Sequence, residues 1–436
     1  MYGIVTAIFP AVLIFCGVVM SAKLGFFHVV RPIGTLRYAF GRKFPIRELT
    51  LSLAGTLGVG NIVGVGVALH LGGAGAVFWI WVSAVFSMIL KYAEIALSVR
   101  YREVTPDGIR GGTMYYMRRA FAGKTGKTIA FVFAVVALIM SVVMGNLVQM
   151  NAALSALSQV CTVNPLFLTV PTAVIAAYSI MGGFDKVTQF TSYVVPVMSI
   201  CYIAVCLFAI ITNAGRLPVI FGQIFSEAFR PLSCGAGIVG FVSSATVRQG
   251  VAKGAFSHEA GGGTAPLSHY CAKTDAPARQ GIFGLIEVAF DTLVICTLTA
   301  LIVLMYGSGA DSGAELVFSS FSALSGDIGV NAVCVSIMFF AVSTVVCWGL
   351  YGIICLDYLI GKRSIAHVSY VSVYCVAIVL SVFVTEDALW RLTDIGVIIM
   401  TALNLTCLMS LSPSVRRMTE EAGLLKRKTP RKKCGR

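Results

Sequence analysis

Apolar residues run through this chain in long blocks separated by short basic or small-residue stretches. They do not follow the one-sided spacing of a helix with a wet face. The blocks predict helices over 2–22, 48–70, 73–99, 128–158, 165–181, 187–212, 236–270, 281–306, 330–360, 364–384 and 388–411. Most approach or exceed the ~20 residues that an α-helix needs to cross hydrocarbon. Two blocks contain sequence that opposes a continuous helix. "GTLGVGNIVGVG" (55–66) crowds glycines around a single amide, Asn61, and "VAKGAFSHEAGGGTAP" (251–266) places three consecutive glycines mid-segment.

Composition agrees with an all-α polytopic membrane protein. Of 436 residues, 57% are hydrophobic and 12% charged, against about 25% charged in soluble domains. The first block lacks a basic leader and reaches spanning length, which marks it as a retained helix and not a signal peptide. The 13 cysteines show no CxxC pairing and the 5 histidines no HExxH pattern. Neither a nucleophile–base pair nor a metal-ligand spacing appears, so the expectation is no enzyme and no organic cofactor.

The net charge of +14 changes meaning once placed on the helices. With the N-terminus outside, 29 of the 33 Lys and Arg fall in 23–47, 100–127, 186, 248–279, 362–363 and the tail from 416, all on the cytoplasmic side. The positive-inside rule therefore predicts eleven spans in a cell inner membrane, N-terminus out and C-terminus in. The basic tail is read as touching anionic lipid, with no nucleic acid as partner. Segment 24–47 is suited to lie flat at the inner interface, and the outer loops 213–235 and 307–329 accommodate short surface helices.

Without the first helix ten remain, five and five. An odd-numbered unit repeated in one chain must reverse its orientation, which predicts an inverted repeat. The expected organisation is an extra helix with a basic segment (1–47), a first five-helix unit (48–213), a second (214–412) and a tail (413–436). Both interruptions then fall in the opening helix of a half. Unwound backbone survives in a bilayer only where protein, water or ligand satisfies it. Free N–H groups suit a carboxylate and free carbonyls a small cation, which is the pair of tools a zwitterion with a co-transported ion needs.

The stretch "GTLGVGNIVGVGVALHLGGAGAVFWIWVSAVFSMILKYAEIALSVRYRE" resembles the signature of the alanine or glycine:cation symporter family, in the amino acid–polyamine–organocation superfamily. Further matches follow in order: "GGTMYY", "GNLVQMN", "GGFDKVTQF", "KGAFSHEAGGGTAP", "DTLVICT" and "STVVCWGLYG". The resemblance implies a LeuT-type inverted five-helix repeat (5+5) with one extra N-terminal helix. It also implies symport of Na⁺, with H⁺ as the alternative ion, and a small neutral amino acid such as alanine or glycine, L or D.

Residue by residue, the resemblance puts the substrate carboxylate at Gly58, Gly60 and Asn61. Gln149 faces the substrate, Trp348 forms an aromatic wall, and Phe256 and Ser257 contribute from the second break. Ser343 and Thr344 match the hydroxyls of a sodium site closed by the carbonyls of Ala54 and Leu57. The chain departs from the family pattern at Lys253 (Arg), His258 (Asn), Gly262 (a larger apolar residue), Gly349 (Ser) and Ile353 (Glu).

Blander readings compete at several positions. Gly55, Gly58, Gly60 and Gly64 also fit close helix packing. Lys91 and Glu94 share a helix face and are candidates for an ion pair or a gate, and Glu259 for a gate or a cap. Asp291 is read as too near the inner end for a ligand, His258 as a satisfied histidine or a proton-sensitive group, and Trp79 and Trp81 as packing or interface anchors. Secondary active symport is the leading function. The alternative is a passive channel or amino-acid sensor built on the same broken helices.

Overall fold

Glycine and a lone amide break the first long segment of the second apolar block, and the chain obeys. In the computed structural model, which describes residues 2–40, 46–106, 108–230, 240, 244–307, 312–384 and 386–425, span 2 is Ile46–Thr56 and Val63–Gly72, with the single 3-10 turn Val59–Asn61 between them. The two halves are bent by 65°. Span 7 is likewise interrupted, as Ala245–His258 and Ala265–His269.

The remaining spans follow the apolar blocks. Span 1 is Tyr2–Lys23 and span 3 is Gly75–Arg100. Span 4 runs Lys124–Val142, a π-helical turn Val143–Val148, then Gln149–Val160. Span 5 is Leu166–Met181 and span 6 is Gly183–Thr212. Span 8 runs Pro277–Val288, the π-helical turn Ala289–Cys296, then Thr297–Tyr306. Spans 9, 10 and 11 are Asp327–Ile360, Ser364–Leu380 and Glu386–Ser410. Among the described residues, seven helices are long and apolar enough to cross a bilayer, the bent pair of span 2 makes an eighth, and spans 1 and 5 contain shorter apolar helices.

Like-numbered helices of the two halves pack on each other: span 2 on span 7, span 3 on span 8, span 4 on span 9 and span 5 on span 10. This self-pairing is what a twofold axis between two five-helix units of opposite orientation demands. Spans 5 and 10 turn Phe167, Val174, Tyr178, Val373 and Val376 outward. In water each such apolar side chain forgoes roughly 1.5–3 kcal/mol of burial; hydrocarbon removes that cost.

The basic segment after span 1 forms the short helices Phe27–Val30 and Pro32–Phe40, and the loops after spans 6 and 8 contain Leu217–Ala228 and Gly313–Ser325. Among the described residues the only sheet is the hairpin Glu103–Thr105 with Gly108–Arg110, Glu103 opposite Arg110. The tail continues as Ser412–Glu421, to which span 1 is tied by Lys23 Nζ donating to Ser412 Oγ at 2.7 Å. Most of the predicted opening of span 7, residues 41–45 and the tail from 426 lie outside the described residues.

One detail of the charge count is corrected. Arg248 and Lys253 precede the break of span 7, whereas Lys273 and Arg279 follow it. Lys253 lies over Trp390, at the opening of span 11, so these four cations divide between the two sides of that break. A polar interruption within a span looks, in sequence, like the start of a loop.

Candidate functional site

The two breaks meet. Asn61, from the turn in span 2, donates through Nδ2 to Ser257 Oγ of span 7 at 2.9 Å and to Asp291 Oδ1 of span 8 at 2.6 Å. Its Oδ1 accepts the Gly58 N–H at 3.1 Å, and its carbonyl accepts from Thr299 Oγ1 at 2.9 Å. Ser257 Oγ donates to the other Asp291 oxygen at 2.7 Å. The contact is close enough that a Cβ on Gly60 would fall 2.7 Å from the Phe256 ring.

Gly58 marks where two further elements converge. A Cβ there would meet Gln149 Oε1 at 2.9 Å and Thr344 Oγ1 at 3.1 Å. Gln149 follows the π-helical turn of span 4; its Oε1 accepts the Val59 N–H at 3.1 Å and its Nε2 donates to Met144 O at 3.3 Å. Thr344 Oγ1 lies 3.0 Å from the Ala54 carbonyl and 3.4 Å from that of Leu57. Two carbonyls released by an unwound helix and one hydroxyl form a hard-oxygen set, the kind a small monovalent cation takes. Ser343 is not brought into it: its hydroxyl donates to Phe340 O at 2.9 Å, back along its own helix, and lies 3.5 Å from Met198 Sδ. Trp348 closes the floor, donating from Nε1 to Gly55 O at 3.3 Å and packing against Gly145. The packing reading of the span 2 glycines holds in modified form. The neighbours of Gly55, Gly58 and Gly60 are site side chains (Tyr351, Gln149, Thr344, Phe256), and a Cβ on Gly64 would meet nothing within 4 Å.

The three candidate gate residues are placed differently from their pairing in sequence. Lys91 and Glu94 form no ion pair with each other. Lys91 Nζ is 3.2 Å from Glu287 Oε2 of span 8 and donates to His258 O at 3.1 Å. Glu287 also accepts from Ser52 Oγ at 2.7 Å and meets His269 Nε2 at 2.6 Å. Glu94 Oε2 instead accepts the Gly263 N–H at 3.1 Å and Asn404 Nδ2 at 2.7 Å. Glu259 stands at the break in the left-handed region with φ 50°, its carboxylate accepting from Thr264 Oγ1 at 2.6 Å.

Toward Trp390 the site is shut: the Phe256 ring, which covers Gly60, lies 5.1 Å from the Trp390 ring, and Lys253 Nζ sits 4.4 Å above the same indole. On the side of the basic loops a separate cavity of about 640 Å³ lies between Arg110, Gly183, Tyr270, Ile353, Asp357 and His367, lined by none of the residues that meet at the breaks. Ile353, one of the departures from the family pattern, lines it, and Gly349 lies against Ile180, another lining residue.

Asp291 is the main residue that sequence reasoning discounted. Span 8 begins at Pro277, earlier than the apolar pattern shows, which moves Asp291 to mid-helix, and the π-helical turn around it aims the carboxylate at Asn61. The signal was there: an acid in an otherwise apolar run defaults to function. Thr299, Asn404 and Trp390 gave no such signal. His258 is satisfied on both ring nitrogens. Nδ1 accepts the Ala260 N–H at 3.0 Å, which leaves Nε2 to donate to Ser83 Oγ at 3.1 Å. Trp79 and Trp81 are half-buried against the core, donating to Ala228 O at 3.1 Å and Thr297 Oγ1 at 2.8 Å.

Comparisons with known proteins show the fold and the family. In fold the chain is similar to the crystallised MhsT bound to L-phenylalanine, with a TM-score of 0.60, 13% identity, and coverage of 86% of this chain and 98% of that one. The architecture is thus the LeuT-type one, all-α and polytopic. In sequence it is 35% identical over 399 residues to the sodium/alanine symporter AgcS of Methanococcus maripaludis, covering 87% of this chain and 86% of that protein. It is 31% identical over 369 residues to the amino-acid carrier protein AlsT of Bacillus subtilis, covering 83% and 76%. The model of the sodium:alanine symporter family matches residues 2–432, and the chain, a multi-pass transporter, belongs to that family.

Proposed function

We propose that this transporter is a Na⁺-coupled symporter that imports a small neutral amino acid, alanine or glycine, by alternating access. The observation that carries the reading is the junction of the two breaks. Backbone N–H groups of 58–61 and the Asn61 and Gln149 amides stand beside a three-oxygen set from Ala54, Leu57 and Thr344. The substrate carboxylate displaces Gln149 Oε1 from the Val59 N–H, and the Asp291 carboxylate offers the ammonium group a counter-charge. Na⁺ enters as cargo at the three oxygens. Substrate and cation thus share one unwound segment, so each orders the backbone that the other needs.

The Phe256–Trp390 closure over Gly60 fits an inward-facing state. In this reading the units are 48–213 and 214–412, flanked by 1–47 and 413–436, with the N-terminus outside and the C-terminus in the cytoplasm of a cell bounded by the inner membrane. One Na⁺ moving down about 100 mV supplies roughly 2.3 kcal/mol before its concentration gradient is counted. The channel alternative draws no support from the relatives, which are transporters.

The test is uptake of labelled alanine and glycine into proteoliposomes under an inward Na⁺ gradient, an inward H⁺ gradient, or neither. Accumulation above equilibrium with Na⁺ alone is expected. Equal uptake in all three would remove the coupling.

A further inference from the structure

The second break carries three glycines in a row, and they are not equivalent. Gly261 and Gly263 have φ of +83° and +81°, conformations that L side chains rarely adopt. Gly262 between them has no such requirement. A Cβ there would meet the Glu259 carbonyl oxygen of its own turn at 3.0 Å, and the next group outside that turn is Thr401 Oγ1 at 4.0 Å. The backbone conformation at 262 therefore accepts a side chain once the Glu259 carbonyl gives by a few tenths of an ångström. What the glycine leaves is space.

That space is a cavity of about 20 Å³ between the second break and spans 1, 4, 9 and 11, with Phe9, Met144, Phe256, Gly262, Trp348 and Thr401 among its walls. About 10–15 Å³ on this measure holds one water-sized group, and a cavity lined by apolar atoms stays dry. Its size suits one or two carbon atoms. Two of its walls, Phe256 and Trp348, also bound the site at the break of span 2. On the symport reading, a zwitterion held at 58–61 would lie beside those two rings, which are also walls of the cavity.

We propose that this cavity is the side-chain subsite and that Gly262 sets its depth. The chain then takes neutral amino acids one or two apolar carbons larger than alanine, with 2-aminobutyrate as the best fit. The inference rests on the symport reading of the broken-helix site. Alanine leaves the space void, and a side chain at 262 fills it from the protein instead.

The experiment is direct uptake of labelled glycine, alanine, 2-aminobutyrate and valine by the full chain in proteoliposomes. It compares the natural protein with Gly262→Ala, Gly262→Val and Thr401→Leu, the last filling the same space from the opposite wall. The natural protein is expected to transport 2-aminobutyrate at an efficiency within a few-fold of alanine. Each filling variant is expected to lower the 2-aminobutyrate-to-alanine ratio by about 10-fold or more, the usual discrimination for a methylene in an apolar pocket. Because the readout is a ratio, a variant with low expression still reports, and Thr401→Leu stands in if the loop rejects a side chain. Exclusion of 2-aminobutyrate by the natural protein, or a ratio unchanged in all three variants, overturns the subsite while leaving symport intact. No uptake of any amino acid overturns the symport reading and the subsite with it.

Discussion

Lys91→Met tests how span 3 supports the second break. The substitution keeps the length and apolar stem of the side chain and removes a fully buried ammonium that is 3.2 Å from Glu287 and 3.1 Å from the His258 carbonyl. Removing one partner of a buried ion pair costs about 3–5 kcal/mol, chiefly because the other charge is stranded. Here the low end, about 3 kcal/mol, applies, since Glu287 keeps Ser52 at 2.7 Å and His269 at 2.6 Å. Melting temperature moves about 2–4 °C per kcal/mol in domains of 150–250 residues and less in longer chains. A fall of roughly 3–6 °C is therefore expected for the detergent-solubilised protein at a fixed scan rate, the rate being held because such unfolding is irreversible. Glu287→Gln alone strands the lysine and is expected to cost a similar amount. The double variant restores neutrality, so its loss should be well below the sum of the two. Strictly additive losses would show that the two groups do not sense one another, and the buried-pair reasoning would fail.

Three further outcomes follow from the site. Thr344→Val removes one of the three converging oxygens and should raise the Na⁺ concentration for half-maximal uptake at least ~10-fold, whereas Ser343→Ala, whose hydroxyl is spent on Phe340 O, should shift it by less than about 3-fold; Na⁺ titration of alanine uptake separates them. Gly60→Ala drives a methyl against the Phe256 ring, 2.7 Å from the new Cβ, and should cost about 1–3 kcal/mol together with most of the substrate-induced thermal stabilisation. Asp291→Asn keeps the shape but removes the charge that receives Asn61 and Ser257, and alanine uptake should drop more than about 100-fold with membrane insertion unchanged by surface labelling; retained uptake would take Asp291 out of the site.

The architecture was legible because a bilayer leaves few options. Apolar length, the odd five-helix unit and the distribution of Lys and Arg predict an inverted repeat, and the packing of like-numbered spans realises it. Both breaks were legible from glycine crowding. What sequence did not reveal is where side chains on different spans meet. Asp291 reaches Asn61 because a π-helical turn rotates it, and an extra residue in a turn leaves no periodic trace in an apolar run. Ser343 and Thr344 look alike in sequence, yet adjacent residues point 100° apart on a helix, so only one can face the carbonyls of span 2. Lys91 and Glu94 read as a pair because they share a face; a nearer acid on span 8 and a free N–H at the second break separate them.

That separation explains why the two breaks behave differently. The half-helix Ala245–His258 ends on a carbonyl that receives the Lys91 ammonium. On the far side of the break, the Gly263 N–H that precedes Ala265–His269 is received by the Glu94 carboxylate. One side of span 3 thus places a cation at a helix C-terminus and an anion at a helix start, each matching the local dipole, and three residues is the spacing that reaches both. Asn404 braces the same acid and also holds the Gly261 carbonyl at 2.9 Å, and the Thr113 hydroxyl donates to Gly263 O. The second break is therefore satisfied by fixed protein groups. The first is not: its N–H groups rest on Asn61 and Gln149, and its carbonyls on the Thr344 hydroxyl and the Trp348 indole, partners that a zwitterion and a cation can displace without stranding a charge. On the symport reading proposed above, a site with one rigid and one exchangeable break answers ligand binding by rearranging span 2 against a fixed span 7.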